Sequence, residues 1–275
     1  YGVVADHPDL ADVRGQLEAR RALEIALAGG HALLFIGPPG AGKTLLARTI
    51  PGLLPPLDPD EALAATIVES VASQRPVGRL ITRRPFRAPH HTSSYAAIVG
   101  GGKALGPGEV TLASEGVLFL DELAEFGRDV LEALREPLEE GRITIGRAGR
   151  SATFPARFQL IAATNPCPCG WAGTENPGCS CRPGVPERYL ARISGPLRDR
   201  IDLWVEMPAV RPSEMLLGAP PEDSAAVARR IAEARARQMD ARGVLNGRLS
   251  GRALRAACRL DGLARERVVE LGVLE

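Results

Sequence analysis

A glycine-rich segment near the N-terminus has the pattern of a phosphate-binding loop. Residues 37–44 read Gly-Pro-Pro-Gly-Ala-Gly-Lys-Thr and separate a short apolar run from a helical pattern. Glycines let the backbone curl so that successive N–H groups face phosphate oxygens, and the N-terminus of the following helix adds its positive dipole end. A chance glycine-rich turn is the alternative, which the flanking strand and helix patterns disfavour. The predicted nucleotide-binding residues of this segment are Gly37, Pro38, Pro39, Gly40, Ala41, Gly42, Lys43, Thr44 and Leu45.

Two acidic residues at the end of a second apolar run add to this predicted site. The run Val117–Leu120 is followed directly by Asp121 and Glu122. We expect Lys43 to reach the β- and γ-phosphates of ATP, while Thr44 and Asp121 hold Mg²⁺. Glu122 would polarise the attacking water as general base, which predicts hydrolysis rather than phosphoryl transfer to an organic acceptor. Acidic residues that serve only as a capping device are the alternative.

A third apolar run ends at an asparagine with a predicted role in the same site. Asn165 follows the run Gln159–Ala163 by two residues. A side-chain amide offers a donor and an acceptor together, so we expect it to bond both the attacking water and the γ-phosphate. The alternative is an ordinary turn that begins at Asn165 before Pro166.

The elements that position these residues alternate between strand and helix patterns. Apolar runs with the length of buried strands occur at Ala32–Ile36, Val117–Leu120 and Gln159–Ala163. Apolar residues recur at helical spacing over Ala11–Ala28, Lys43–Ile50, Arg128–Glu140 and Pro186–Ile193. This alternation predicts an α/β fold, with a parallel sheet between helices. After a core of residues 1–208, prolines and an Ala- and Arg-rich stretch predict a small helical domain over residues 209–275.

Composition restricts the class of protein. Lys and Arg total 34 against 33 Asp and Glu, a net charge of +1. Binding to DNA would therefore need a local basic patch rather than bulk positive charge. No apolar run reaches the roughly 18 residues of a membrane-spanning helix, and the N-terminus lacks the pattern of a signal peptide. We therefore expect a cytoplasmic protein with no membrane contact.

Four of the five cysteines are crowded into one short segment of the chain. They form two pairs, Cys167 with Cys169 and Cys179 with Cys181. Four thiolates suffice for a tetrahedral Zn²⁺ site, which would be structural because no coordination position stays open. The spacing within each pair is tighter than usual, so disulfides and free thiols stay open as alternatives. The adjacent His90 and His91 are predicted to be polar surface rather than a second metal site.

Beyond these residues, the chain resembles one family of AAA+ ATPases. The resemblance is carried by Arg84–Thr92, Gly116–Leu123, Leu131–Leu138, Asn165–Gly170 and Arg200–Leu203. These segments are similar to those of the magnesium-chelatase-like ATPases of the ComM/YifB type, and the similarity covers nearly the whole chain. It implies an AAA+ core with a helical lid, a homohexameric ring with ATP at subunit junctions, and DNA branch migration in recombination and natural transformation.

The resemblance also implies roles for residues outside the three strand ends. Arg200 matches the arginine that reaches the γ-phosphate from a neighbouring subunit, with the nearby Arg198 as the alternative. Val13 and Gly15 resemble the lining of the adenine pocket, and an ordinary helix entrance is the alternative. The family's second sensing arginine is expected beyond Glu275, and its protease-like N-terminal domain is not in this sequence, so we expect a truncated core.

Two segments are candidates for contact with DNA. β-Prone runs around a glycine-rich turn predict a hairpin near residues 141–154, with Arg147 and Arg150 at its tip. The resemblance implies that this hairpin faces the pore of the ring, where guanidiniums would track single-stranded or branched DNA. Lys103, in a predicted flexible loop over residues 93–108, is a further candidate. A soluble hairpin tip and a plain surface loop are the alternatives.

Two other functions would use the same nucleotide chemistry. A chelatase-like subunit would spend ATP on remodelling a protein partner instead of moving DNA. A nucleotide-dependent switch would bind ATP with negligible turnover. Stimulation of hydrolysis by DNA distinguishes the first from a DNA motor, and the effect of Glu122→Gln distinguishes the second.

Overall fold

A five-stranded parallel sheet lies at the centre of the molecule. The computed structural model describes residues 7–102, 105–147, 150–174, 178–210, 221–258 and 261–270. The strands of these residues are β1 (Leu33–Ile36), β2 (Phe86–Arg87), β3 (Gly100–Gly101), β4 (Gly106–Pro107), β5 (Val117–Leu120), β6 (Arg142–Arg147), β7 (Arg150–Pro155), β8 (Gln159–Thr164) and β9 (Leu203–Glu206). The main sheet has the order β2-β5-β8-β1-β9, and all neighbouring pairs are parallel. The carboxyl ends of β5, β8 and β1 therefore meet at one edge, where open α/β sheets bind ligands.

Helices pack on both faces of this sheet. They are α1 (Leu17–Gly29), α2 (Lys43–Arg48), α3 (Ile50–Leu53), α4 (Pro59–Ser73), α5 (Tyr95–Ile98), α6 (Glu109–Leu112), α7 (Arg128–Ala133), α8 (Arg135–Glu140), α9 (Val185–Leu190), α10 (Gly195–Arg198), α11 (Ser224–Arg242), α12 (Gly251–Ala257) and α13 (Gly262–Glu270). Successive strand residues enter opposite cores: Leu33 and Phe35 belong to one apolar cluster and Leu34 to the other. Burial on both faces explains why these strands are apolar without alternation. The predicted α/β fold with a parallel sheet is confirmed.

The first helix begins later than the sequence pattern indicates. The prediction placed its start at Ala11, whereas α1 begins at Leu17. Gly15 and Gln16 have φ angles of 64° and 53°, in the left-handed region that an α-helix cannot contain. The chain therefore turns before the helix, and the predicted start was wrong.

Proline and capping residues determine two other helix boundaries. The predicted helix over Arg128–Glu140 is two helices, because Pro137 has no N–H to donate to the carbonyl of Ala133, where α7 ends. Helix α4 was not predicted, although its N-terminus carries a capping box. Asp58 accepts from the N–H of Glu61, and the Glu61 carboxylate accepts from the N–H of Asp58.

The helix α11 packs on the sheet domain. It contacts α1 and α3, and its Val227 and Ile231 are buried in the same apolar cluster as Leu33. Helix α12, by contrast, has no buried residue. A separate helical domain over residues 209–275 stays a prediction, and residues 211–220 of its connector lie outside the described part of the chain.

Two small hairpins lie side by side beyond the sheet. Strands β6 and β7 pair from Arg142 opposite Pro155 to Arg147 opposite Arg150. Strand β3 pairs with β4, and a Cβ placed on Gly100 would lie 2.6 Å from the side chain of Ile145 in β6. The segment 93–108 was predicted to be a flexible loop, but its described residues contain α5, β3 and β4, and β3 packs against β6 of the first hairpin.

Among the described residues, no helix combines the length and the apolar composition that crossing a bilayer requires.

Candidate nucleotide-binding site

The glycine-rich segment forms the connection between β1 and α2. Gly42 caps α2 with a φ of 90°, a left-handed conformation that residues other than glycine rarely adopt. The segment follows the last residue of β1, so it lies at the carboxyl edge of the sheet, next to the ends of β8 and β9. A loop that enters a helix N-terminus at this edge has the geometry of a phosphate cradle.

Lys43 joins this loop to the end of β8. Its side chain is only 8% exposed, and Nζ donates to the carbonyl oxygens of Gly37 at 2.6 Å and Pro38 at 2.9 Å and to Oδ1 of Asn165 at 3.1 Å. The two residues are 122 positions apart in sequence, and the sheet order brings them into contact. Lys43 and Asn165 were both predicted for one site, and the structure places them together.

The charge of Lys43 is held in a partly desolvated position. Burial lowers the pKa of its ammonium below the ordinary value, and the negative charges of Asp121 and Glu122 offset part of that shift. An added anion would stabilise the ammonium further, since Coulomb interactions are stronger where water is excluded. Phosphate is such an anion.

Thr44 and Asp121 form the second pair of this edge. The Thr44 hydroxyl donates to Oδ2 of Asp121 at 2.6 Å, and Oδ1 of Asp121 accepts from the backbone N–H of Glu122 at 3.0 Å. A hydroxyl and a carboxylate side by side are oxygen donors of the type that Mg²⁺ prefers. The donor set therefore fits the magnesium ion that accompanies ATP. We call the group of Lys43, Thr44, Asp121 and Asn165 the nucleotide edge.

Glu122 has a constrained backbone and a histidine partner. Its φ of 54° is left-handed, a conformation that costs a residue other than glycine about 1–3 kcal/mol and is often found at functional sites. The side chain is 47% exposed, and Oε2 lies 2.8 Å from Nδ1 of His91. The His91 ring is also packed edge-on against Phe126.

His91 is the residue of this site that the sequence argument missed. The pair His90 and His91 was predicted to be polar surface, which is wrong for His91, whose side chain is 25% exposed and contacts Glu122. His91 follows β2, which pairs with β5, the strand that ends before Asp121. A correct assignment of the two-residue strand β2 would have placed His91 near the site.

The predicted adenine side lies against the same loop. Val13 is buried in the apolar cluster that contains Ala41, and Gly15 precedes the left-handed Gln16. The Gln16 side chain donates to the carbonyl oxygens of Ala41 at 3.0 Å and Pro208 at 2.6 Å. The segment thus braces the phosphate loop, and the adenine contact of Val13 and Gly15 stays a prediction.

The two candidate arginines of the subunit junction have partners within their own chain. Arg200 donates through Nε and Nη2 to Oε1 of Glu139, at 3.0 and 2.6 Å. Arg198 lies over the ring of Trp204, with its guanidinium carbon 5.0 Å from the ring centroid. Both side chains are exposed, so the choice of Arg200 over Arg198 stays a prediction.

The predicted DNA contacts fall partly outside the described residues. Arg150 is exposed at the start of β7. Arg147 ends β6, but its side chain is not among the described ones, and Lys103 lies wholly outside the described residues.

The four predicted metal ligands come together. The sulfur atoms of Cys167, Cys169, Cys179 and Cys181 all lie within 4.8 Å of one another. The backbone N–H of Trp171 is the main cause that lowers the pKa of the Cys169 thiol to about 5. Despite backbone hydrogen bonds to sulfur, desolvation and the neighbouring thiols raise the pKa of the Cys179 and Cys181 thiols, so the shifts differ in direction across the cluster.

Comparison with known proteins places the chain among chelatase-like ATPases. The family model of the magnesium chelatase subunit ChlI matches residues 9–215. The chain is 49% identical to the uncharacterized protein YifB of Escherichia coli, over 92% of this chain and 50% of that protein. It is 47% identical to the competence protein ComM of Haemophilus influenzae, over 92% of this chain and 50% of that protein. The chain thus spans about half the length of the curated relatives it matches.

A solved structure is also similar at a lower level. The crystal structure of NtrX from Brucella abortus in complex with ADP has 18% sequence identity and a TM-score of 0.44. The match covers 72% of this chain and 38% of NtrX.

Proposed function

The chain belongs to the family of the magnesium chelatase subunit ChlI, and from this membership we propose that it is the ATP-hydrolysing core of an AAA+ motor that moves DNA. The observation that carries the proposal is the convergence of Lys43, Thr44, Asp121 and Asn165 on one sheet edge, with Glu122 beside them. The loop after β1 leads into Lys43 and Thr44, and the ends of β5 and β8 supply Asp121 and Asn165, all at the carboxyl edge where open α/β sheets bind ligands.

In the proposed reaction, each residue of the nucleotide edge and the neighbouring Glu122 has one task. The backbone N–H groups of residues 37–42 and the Lys43 ammonium bind the phosphates. Thr44 and Asp121 would hold Mg²⁺, which would supply positive charge against the phosphate oxygens. Glu122 accepts a proton from the attacking water, and Asn165 orients that water against the γ-phosphate.

We propose that Arg200 completes the site from a neighbouring copy in a hexameric ring. An arginine beside the γ-phosphate stabilises the charge of the transition state. The Arg200–Glu139 pair is exposed on both sides, with 47% and 38% of the side chains accessible, so separating it in favour of a phosphate costs little. Assembly would then switch on hydrolysis, since the guanidinium arrives only with the partner.

The proposed substrate of the motor is single-stranded or branched DNA in recombination and natural transformation. Support comes from the similarity to a competence protein and from the hairpin β6–β7, which carries the exposed Arg150. A net charge of +1 restricts attraction of phosphates to such local patches. The second hairpin, β3–β4, packs against β6, so the two would form one surface.

Glu122→Gln tests the hydrolysis directly. The amide keeps the size of the side chain but cannot accept the proton, so turnover should fall by about 10²- to 10⁴-fold while ATP still binds. Glu233→Gln is the control, because it removes a carboxylate on α11 that is 68% exposed and 3.7 Å from Arg237. An unchanged rate in the Glu122 variant would leave a nucleotide switch as the better description.

A chelatase-like subunit that remodels a protein is the second candidate, favoured by the name of the matching family. Steady-state ATPase rates of a longer chain, with and without forked DNA, separate the two. A DNA motor should hydrolyse faster with DNA, because translocation is coupled to turnover. A rate that does not respond to DNA at low salt would favour the protein-remodelling subunit.

A further inference from the structure

The four clustered thiols have the spacing of a metal site. Sulfur–sulfur distances are 3.3 Å between Cys167 and Cys169, 3.8 Å between Cys167 and Cys179, and 3.6 Å between Cys169 and Cys179. Tetrahedral zinc with Zn–S bonds of about 2.3 Å holds its sulfur atoms about 3.8 Å apart. Cys181 lies within 4.8 Å of the other three, so a small movement completes the tetrahedron.

This arrangement is less suited to disulfides. All four cysteines are free. The shortest distance, 3.3 Å, joins Cys167 and Cys169, which are only two positions apart in sequence, whereas Cys179 lies at similar distances from both. The backbone N–H of Ala172 donates to Sγ of Cys167 at 3.3 Å. Amides that point at the sulfur atoms orient ligands and stabilise the negative charge of thiolates bound to a metal.

The cluster is joined to the phosphate loop at two places. Cys167 follows Asn165 by two residues, and Asn165 accepts from Lys43. The N–H of Gly170 donates to the carbonyl of Cys167 at 2.9 Å, and a Cβ on Gly170 would lie 2.7 Å from Cδ of Pro39. The turn 165–170 therefore begins at one side of the phosphate loop and rests against it at Gly170.

We propose that the four cysteines bind one Zn²⁺ and that this ion braces the turn 165–170 against the phosphate loop, which positions Asn165 for nucleotide. Binding displaces the protons of the thiols, and four thiolates leave no open coordination position. The ion is structural, and its influence on turnover passes through Asn165. The positioning of Asn165 for nucleotide depends on the proposed function, whereas the binding of zinc does not.

Metal content of the purified longer chain tests the first part. Elemental analysis should find about one zinc per chain. Protein in which Co²⁺ replaces Zn²⁺ should show the visible absorption of a tetrahedral thiolate site. Cys169→Ser combined with Cys181→Ser should abolish both signals, whereas Cys258→Ser should keep them, since that exposed cysteine lies at the end of α12. The proposal is overturned if protein prepared under reducing conditions with zinc supplied contains no bound metal. It is also overturned if the double variant keeps the metal content of the wild type.

Chelation of the wild-type protein separates loss of metal from a folding defect in the serine variants. After the chelator is removed and Mg²⁺ is resupplied in excess, circular dichroism should keep its helical signal, while ATP turnover falls by roughly tenfold or more and returns when zinc is restored. Unchanged turnover after complete removal of zinc would show that the ion does not position Asn165, while the proposal of a zinc site would stand. If the untreated protein does not hydrolyse ATP, the proposed function fails. The metal site would still be tested, because metal content is measured independently of ATP turnover.

Discussion

The nucleotide edge and the exposed arginines differ in how far one chain completes them. Lys43 and Asn165 bond each other, and Thr44 bonds Asp121, so the edge is assembled within a single copy. Arg150 and Arg200, by contrast, are exposed, and among the described residues Arg200 is bonded to the surface carboxylate of Glu139. The fold thus assembles the proposed ATP site by itself, whereas the arginines gain their proposed roles only from a second molecule.

The largest expected effect concerns Arg200. Replacing it by Ala should lower turnover by about 10³-fold or more, because transition-state charge is left unneutralised. Arg198→Ala should have a much smaller effect, since its guanidinium is stacked on Trp204. Steady-state ATPase assays compare the two.

Mixing two inactive chains sharpens the same comparison. A Lys43→Ala chain retains Arg200, and an Arg200→Ala chain retains Lys43. Mixed rings should therefore recover activity at junctions where Lys43 of one chain faces Arg200 of the other. Recovery would place the arginine in a neighbouring copy, whereas inactivity of the mixture would argue that both residues act within one chain.

His91 should have the next largest effect. Removing the His91 ring frees the Glu122 carboxylate, the proposed general base, to take other positions. His91→Ala should therefore lower kcat by about 10- to 100-fold with little change in KM for ATP. His91→Asn keeps a donor and should recover part of the loss. His90→Ala is the comparison: it removes the ring packed 4.2 Å from that of His91 and bonded to Thr92, but it leaves the contact with Glu122, so its loss should be smaller. Equal losses from the two alanine variants would reject a specific role for His91.

A smaller effect is expected from the contact between Gly170 and Pro39. Gly170→Ala and Gly173→Ala share the strain of a left-handed backbone, at φ of 88° and 80°, but only the first places a methyl group against the phosphate loop. The free energy of unfolding should therefore fall by about 1–3 kcal/mol more in the Gly170 variant. Thermal unfolding measures the difference, and equal midpoints would show that the turn does not rest on the loop.

The smallest expected effect is on the salt dependence of DNA binding. Each arginine that contacts a phosphate contributes about one unit to the slope of log Kd against log salt concentration, so Arg150→Ala should reduce the slope by about that amount. Arg142→Ala, at the base of the same hairpin and ion-paired with Glu140 at 2.7 Å, should leave the slope unchanged. Equal slopes for the wild type and the Arg150 variant would remove the hairpin tip from the DNA surface.

Local pattern was sufficient to predict the central part of the fold. Strands β1, β5 and β8 are buried on both faces, so each is a continuous apolar run. Strand β9 was missed because it lies at the sheet edge and its residues alternate between half-buried and exposed. Strand β2 was missed because two residues are too short for any periodicity.

The sequence by itself determined which groups meet at the nucleotide edge. Asp121 and Asn165 each follow a strand directly, and Lys43 follows β1 after the short loop 37–42. Parallel strands bring their carboxyl ends to one edge whatever the details of packing. Only the tertiary structure decided that His91 reaches Glu122, that Gly170 rests on Pro39 and that the cysteines converge. These contacts depend on the course of loops between strands, which is set by long-range packing rather than by a local pattern.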